Sequence, residues 1–265
     1  MASTEARGAA RELIELLRSE FSRTEYGGKH LAVSFSGGLD STLLARLATE
    51  RATITGIVAG SENSTDVKNA RSSAAAIGIE LREIEIDQEL VTEGARRISE
   101  VTGSVDPLTI SFELPLFFVL RSAVEDSVIT GQGADELFGG YSKYEGLSEP
   151  DFKTVRVKDV ERVLGPVSEI ELRMATSQKK TVLRPFTSGE IVSYAMGLPL
   201  SLIRPAEERK VVIREALREL GLEEVARIEK KAAQYGSGAS LLLRKVAKKN
   251  GMNLGEFIAH LGTEV

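Results

Sequence analysis

Two glycine-rich segments hold the residues in this sequence best suited to chemistry on phosphates. The first is Ser34-Phe35-Ser36-Gly37-Gly38-Leu39-Asp40-Ser41. A glycine turn that leads into a helix aims backbone amides at one point, where the helix dipole adds a positive field. Gly37 and Gly38 let the backbone approach an anion closely. Ser36 and Ser41 add hydroxyl donors. Asp40 alone would repel a phosphate, so its presence implies a bridging Mg²⁺. The competing reading is an ordinary strand–turn–helix connection with purely steric glycines. Neither G-x-x-x-x-G-K-[ST] nor G-x-G-x-x-G occurs anywhere in the chain. The second segment is Thr130-Gly131-Gln132-Gly133-Ala134-Asp135-Glu136-Leu137-Phe138-Gly139-Gly140-Tyr141. Read alone, Asp135 and Glu136 also fit helix N-terminal acids that complement the dipole.

The elements around these segments alternate. The apolar pattern predicts an amphipathic helix from Ser3 to about Ser22, with Leu13, Ile14, Leu16 and Leu17 on one side. Strands are expected at Leu31–Phe35, Thr53–Ala59, Leu81–Ile86 and Ser127–Thr130, with helices at Ser41–Glu50, Asp66–Ile77, Glu89–Val101 and Leu114–Val124. This alternation indicates a layered α/β fold around a parallel sheet. Ligands in such sheets bind at the carboxyl ends of the strands, directly where both glycine segments fall. After about Pro150 strand-like runs become rare. Asp159–Leu164, Glu169–Ser177, Glu190–Met196, Ala206–Leu220 and Ala239–Lys249 all read as helices. Thr187 and Glu190 have the spacing of a capping box, and Gly221 is placed to stop a helix. The expected division is an N-terminal helix over 1–28, an α/β core over 29–150 and a helical part over 151–265.

Composition narrows the chemistry. Apolar residues make up 42% and charged residues 28% of 265, which specifies a globular chain with a sizeable core. A net charge of −5 marks no general nucleic-acid binder. With no cysteine, disulfides, thiolate-bound zinc, iron–sulfur clusters and a cysteine nucleophile are excluded. With only His30 and His260, a histidine triad or multi-histidine metal site is not expected. No run approaches the roughly 20 apolar residues of a membrane helix. The expectation is a soluble, cytoplasmic protein. Homo-oligomer formation is left open.

The run Ser36–Ser41 resembles the signature of the PP-loop ATP pyrophosphatases, and Thr130–Tyr141 resembles the G-x-G-[AS]-D-E-x-F-G-G-Y segment of asparagine synthetases. Ser64-Thr65-Asp66-Val67-Lys68-Asn69-Ala70 is similar to that family's S-x-D-[LV]-K-x-A stretch, and Asp106 and Pro115 fall at family spacings. The likeness is close over about 30–145 and looser over 170–240. It implies a PP-loop core with a helical C-terminal subdomain. It also implies a ligase that cleaves ATP between its α and β phosphates, adenylates a carboxylate, releases pyrophosphate and then forms an amide or C–N bond. The expected cofactors are ATP and Mg²⁺. ATP and pyrophosphate would be held by Ser34, Ser36, Gly37, Gly38, Leu39, Asp40, Ser41, Gly131 and Gly133, with adenine against the backbone at Val58 and Ala59. Asp40 and Asp135, on adjacent strand ends, would share Mg²⁺ on the departing pyrophosphate. Lys230, six residues before Gly236, matches the family's catalytic lysine, with Lys231 one step off. Lys210-Val211-Val212-Ile213-Arg214 matches a K-x-x-[LI]-R pattern that reads equally as helix-surface charge.

Three departures qualify the substrate. Two-domain asparagine synthetases carry an N-terminal glutaminase with a cysteine nucleophile. The expectation here is nitrogen from free ammonia, another amine or a separate glutaminase. Gln132 stands where asparagine synthetases place glutamate; it can orient a nucleophile but cannot accept its proton. The family's arginine near Ser111, suited to a substrate carboxylate, is missing. Glu113 either attracts a cationic group or is an exposed loop residue. Aspartate is therefore not the expected acid. The alternatives are a tRNA- or sulfur-modifying PP-loop enzyme and a non-catalytic adenine-nucleotide-binding module.

Overall fold

The computed structural model describes residues 4–27, 29–203, 208–228 and 236–263. Five parallel strands form one sheet: β1 (His30–Ser34), β2 (Thr53–Gly60), β3 (Glu80–Glu85), β4 (Ser127–Ile129) and β5 (Thr181–Leu183). Their order is β3-β2-β1-β4-β5, with β1 in the middle. The chain winds outward from β1 through β2 and β3, then crosses to the other side of β1 for β4 and β5. That reversal opens a crevice at the carboxyl ends of β1 and β4, the expected ligand position for this topology.

Alternate residues of the central strands supply the two faces. Leu31 and Val33 of β1, Ile54 and Val58 of β2 and Ile129 of β4 belong to one buried cluster. Ala32, Ile57, Ala59 and Val128 belong to the other. The period of two along each strand is what divides them. The first face is covered by α1 (Thr4–Phe21), α2 (Leu39–Ala48) and α3 (Thr65–Ile77), and by α9 (Gly189–Gly197) and α11 (Val211–Glu219) from the second half of the chain. The second face is covered by α4 (Gln88–Thr102) and α5 (Pro107–Ser122), with α8 (Ser168–Ser177), α13 (Ala239–Lys249) and α14 (Leu254–Thr263). Leu13, Ile14, Leu17 and Phe21 of α1 are buried. Side chains of this size are worth about 1.5–3 kcal/mol each on full burial. No single helix among the described residues is long and apolar enough to cross a membrane.

The remaining α-helices among the described residues are α7 (Glu149–Arg162) and the short α6 (Ala134–Phe138), α10 (Leu200–Ile203) and α12 (Glu223–Ala226).

Local chemistry corrects several sequence-based boundaries. The helix expected from Leu114 begins at Pro107, because Asp106 Oδ2 accepts the Thr109 amide at 2.7 Å and Pro107 occupies the first turn. Glu113 is therefore a mid-helix residue, only 3% exposed, and not part of an exposed loop. The capping box does not form. Ser188 is the N-cap of α9 without a side-chain cap bond, and the Thr187 hydroxyl donates to the Arg184 carbonyl at 3.0 Å. The helix expected from Ala206 starts at Val211.

Candidate active site

The first glycine segment links β1 to α2. Gly38 is the N-cap of α2 in extended geometry with no side-chain cap, which leaves the first amides of the helix directed outward. Ser36 Oγ lies 3.4 Å from the Gly38 amide and 3.5 Å from Ser41 Oγ. Gly37 has φ +67°, and a Cβ there would collide with the backbone of Asn69 and Ala70 in the second turn of α3. Only glycine fits. Ser73 Oγ donates to the Gly37 carbonyl at 2.8 Å, so α3 clamps the turn. The Ser64–Ala70 stretch thus lies against the first motif.

The second segment links β4 to α6. Gly131 passes close to Asp40: a Cβ there would sit 3.3 Å from Asp40 Cβ. The carbonyls of this short helix are held by Arg156 of α7, 5% exposed. Its Nε donates to Glu136 O at 3.3 Å and its Nη2 to Leu137 O at 2.7 Å, and Nη2 also reaches Ala195 O of α9 at 2.7 Å. Burial lowers the Arg156 pKa to about 10, still charged at neutral pH.

Asp40 and Asp135 converge on one cation, Lys210. Its Nζ lies 2.6 and 2.5 Å from the two Asp40 carboxylate oxygens and 2.8 Å from Asp135 Oδ1. The Lys210 side chain is 1% exposed and its backbone is left-handed, at φ +59°. A non-glycine residue held there carries strain of about 1–3 kcal/mol, a pattern that clusters at functional sites. Gly140 is glycine because a Cβ would overlap both the Asp135 carboxylate and Lys210 Cε. The helix-surface reading of Lys210 is therefore wrong; only the K-x-x-I-R pattern signalled it.

One pocket brings together Ser34, Ser36, Gly38, Leu39, Asp40, Ser41, Gly131, Gln132 and Asp135. Gly37 and Gly133 shape the turns behind it. Val58 and Ala59 are buried inside β2, paired with Glu83 and Ile84 of β3, and do not line it. Lys230 and Lys231 lie outside the described residues. Sequence reasoning missed Glu171 of α8, which lines the same pocket together with Glu113. Burial and the neighbouring Glu171 charge raise the Glu113 pKa well above the usual carboxylate range. Burial pushes Glu171 up to about 7, against the lowering effect of Arg184, whose Nη1 is 3.5 Å from Glu171 Oε2. Burial also raises Glu136, although the Tyr141 hydroxyl donates to it at 2.6 Å.

The donor set tests the implied metal. No group of three or more metal-binding side chains occurs among the described residues. Two converging carboxylates are what Mg²⁺ takes from protein when phosphate oxygens and water complete its shell. The ammonium of Lys210 shows that the pair accepts a cation.

The asparagine synthase family profile matches residues 12–162, more than half of the chain. A Methanocaldococcus jannaschii protein provisionally named glutamine-hydrolyzing asparagine synthetase 1 is 29% identical over 272 residues, covering 87% of this chain and 50% of that protein. Chicken glutamine-hydrolyzing asparagine synthetase is 28% identical over 213 residues, covering 73% of this chain and 37% of its own. The chain thus spans half or less of the length of these relatives. Among solved structures, an NMN synthetase from Francisella tularensis aligns with 99% of this chain and 94% of its own, at 13% identity and a TM-score of 0.46. By the profile match, and with both glycine segments meeting in one crevice, the chain belongs to the asparagine synthase family.

Proposed function

We propose that this protein is an ATP-dependent carbon–nitrogen ligase that activates a carboxylate as its acyl-adenylate. The observation that carries the reading is the convergence of Asp40 and Asp135 on one cation, beside the open N-terminus of α2. The amides of α2, with Ser36 and Ser41, suit the β and γ phosphates. Asp40 and Asp135 would hold Mg²⁺, which supplies charge neutralisation on the departing pyrophosphate. A substrate carboxylate oxygen attacks the α-phosphorus, the α–β bond breaks, and pyrophosphate leaves. An amine then attacks the acyl carbon, AMP leaves with the carboxylate oxygen, and the amine proton passes to a base or water. Gln132 lines the pocket and is suited to orient the amine by hydrogen bonds. Lys230 would stabilise charge on the acyl-adenylate and its adduct. Lys210 holds the two carboxylates in register.

The nitrogen source fits free ammonia, another amine or the product of a separate glutaminase. The names of the relatives support the last of these. Phosphorus NMR of ATP incubated with Mg²⁺, a metabolite extract and the protein tests the bond cleaved. AMP and pyrophosphate are the expected products. ADP and phosphate as the main products would end the proposal.

A further inference from the structure

The pocket has an electrostatic imbalance that the reaction at the glycine segments does not use. Its described lining holds five carboxylates, Asp40, Asp66, Asp135, Glu113 and Glu171, and no lysine or arginine. Asp40 and Asp135 are answered by Lys210 from behind. Glu113 is not answered. It is 3% exposed, it faces the pocket from the middle of α5, and no hydrogen bond or ion pair reaches it among the described residues. Glu171 is 2% exposed, and its Oε2 has no hydrogen-bond partner. Arg184 at 3.5 Å is beyond the length of a charge-assisted hydrogen bond. Behind them Glu136 adds further negative potential on Glu171.

Burying a carboxylate without a partner is costly, and the cost is relieved by a proton or by a cation. Burial favours the first solution, because it raises the pKa of both glutamates. A bound cation would supply the second. Phe112, Pro115 and Leu116 form the adjacent pocket wall, so the space beside the carboxylates suits an organic group with an apolar stem. Two glutamates are fewer protein ligands than a dedicated metal cage needs.

We infer that Glu113 and Glu171 form a subsite for a protonated nitrogen, an ammonium or guanidinium group, on a molecule that reacts in this pocket. The inference rests on the ligase reading, because it assigns the subsite to a substrate of that reaction. Two sources share the chemistry: a basic side chain on the acid to be adenylated, and the incoming amine in its protonated form. A carboxylate pair gives a guanidinium or ammonium several charge-assisted hydrogen bonds that a neutral isostere does not make.

Calorimetric titration without ATP tests the subsite apart from turnover. The probes are L-arginine and L-lysine, their neutral counterparts L-citrulline and L-norleucine, and methylammonium chloride against potassium chloride. The wild-type protein should bind the basic probes about tenfold or more tightly than the neutral ones, as expected when a charged hydrogen bond replaces a neutral one. Glu113→Gln and Glu171→Gln should each remove that preference while circular dichroism stays native. Preference for arginine or lysine assigns the cation to the acid; a response to methylammonium alone assigns it to the amine. Equal binding of charged and neutral probes, no binding of any probe, or a preference unchanged in both variants overturns the inference. Acid-dependent pyrophosphate exchange would survive that failure and leave the ligase reading standing. Cation binding without any such exchange would do the reverse.

Discussion

Lys210 Nζ lies within 2.6 Å of both carboxylate oxygens of Asp40, a residue 170 positions earlier in the chain. The contact pins the N-terminus of α11 to the first turn of α2, and Asp135 completes the arrangement from the first turn of α6. Lys210→Met should leave the two carboxylates facing one another and lower stability. The loss should reach about 3 kcal/mol at most, less than for a fully buried pair because both acids reach the pocket. Added Mg²⁺ should recover part of it. Thermal melts of the variant in EDTA and in Mg²⁺ check this, with an absent metal effect as the contrary result.

Asp40→Asn and Asp135→Asn should each cut turnover by about 100-fold or more, with the fold retained. Each removes one carboxylate from the proposed metal pair while Lys210 keeps the other. Unchanged rates at saturating Mg²⁺ for both variants would make the acids structural.

The acidic wall gives a pH signature. Glu113 and Glu171 have pKa values raised in the folded protein by burial, the latter to about 7. Below the unfolded value near 4.3 both states are protonated and the groups contribute nothing. As pH rises past it, the unfolded chain releases protons that the folded chain keeps, so stability falls, for Glu171 until about pH 7. Arg184 opposes the shift at Glu171, and Glu136 reinforces it. Glu113→Gln should therefore stabilise the protein at about pH 8, by roughly 1–3 kcal/mol for a buried unpaired group. The gain should vanish near pH 4. Denaturant melts at both pH values measure the difference.

The glycine segments were legible because their function is local. Gly37 needs its positive φ within its own turn, and the step from strand to turn to helix is written in consecutive residues. Lys210 was not legible, because its partners Asp40 and Asp135 lie far from it in sequence and nothing near it marks it as internal. Glu113 falls just outside the helix expected from Leu114, where the apolar run begins, although Asp106 and Pro107 carry the actual start signal of α5. β5 has three residues, too few for a period of two to show. Thr187 and Glu190 had the right spacing for a cap, but the Thr187 hydroxyl is spent on the Arg184 carbonyl.

Lys230→Ala should slow turnover by about 100-fold, the scale for losing one preorganised charge. Lys231→Ala should have a smaller effect. Steady-state rates of both variants decide; the opposite ranking moves the role by one residue.

Gln132 predicts poor asparagine formation from aspartate, ATP and ammonium, because a neutral amide cannot take the amine proton, a contribution worth typically ~10²–10⁴-fold. Native asparagine synthesis at ordinary enzyme rates, on the order of 1–10³ per second, would refute this. Gln132→Glu should raise whatever asparagine rate the native protein shows.

The most direct measurement of the central claim is isotope exchange between pyrophosphate and ATP, run against a panel of carboxylic acids with and without Mg²⁺. An adenylating ligase exchanges label only when its acid is present, needs no amine, and loses the exchange in Asp40→Asn. Exchange that appears with one acid, requires Mg²⁺ and disappears in that variant is the predicted result. Consumption of ATP to AMP with no label returned to ATP by any acid, or exchange unaffected by Asp40→Asn, would contradict it.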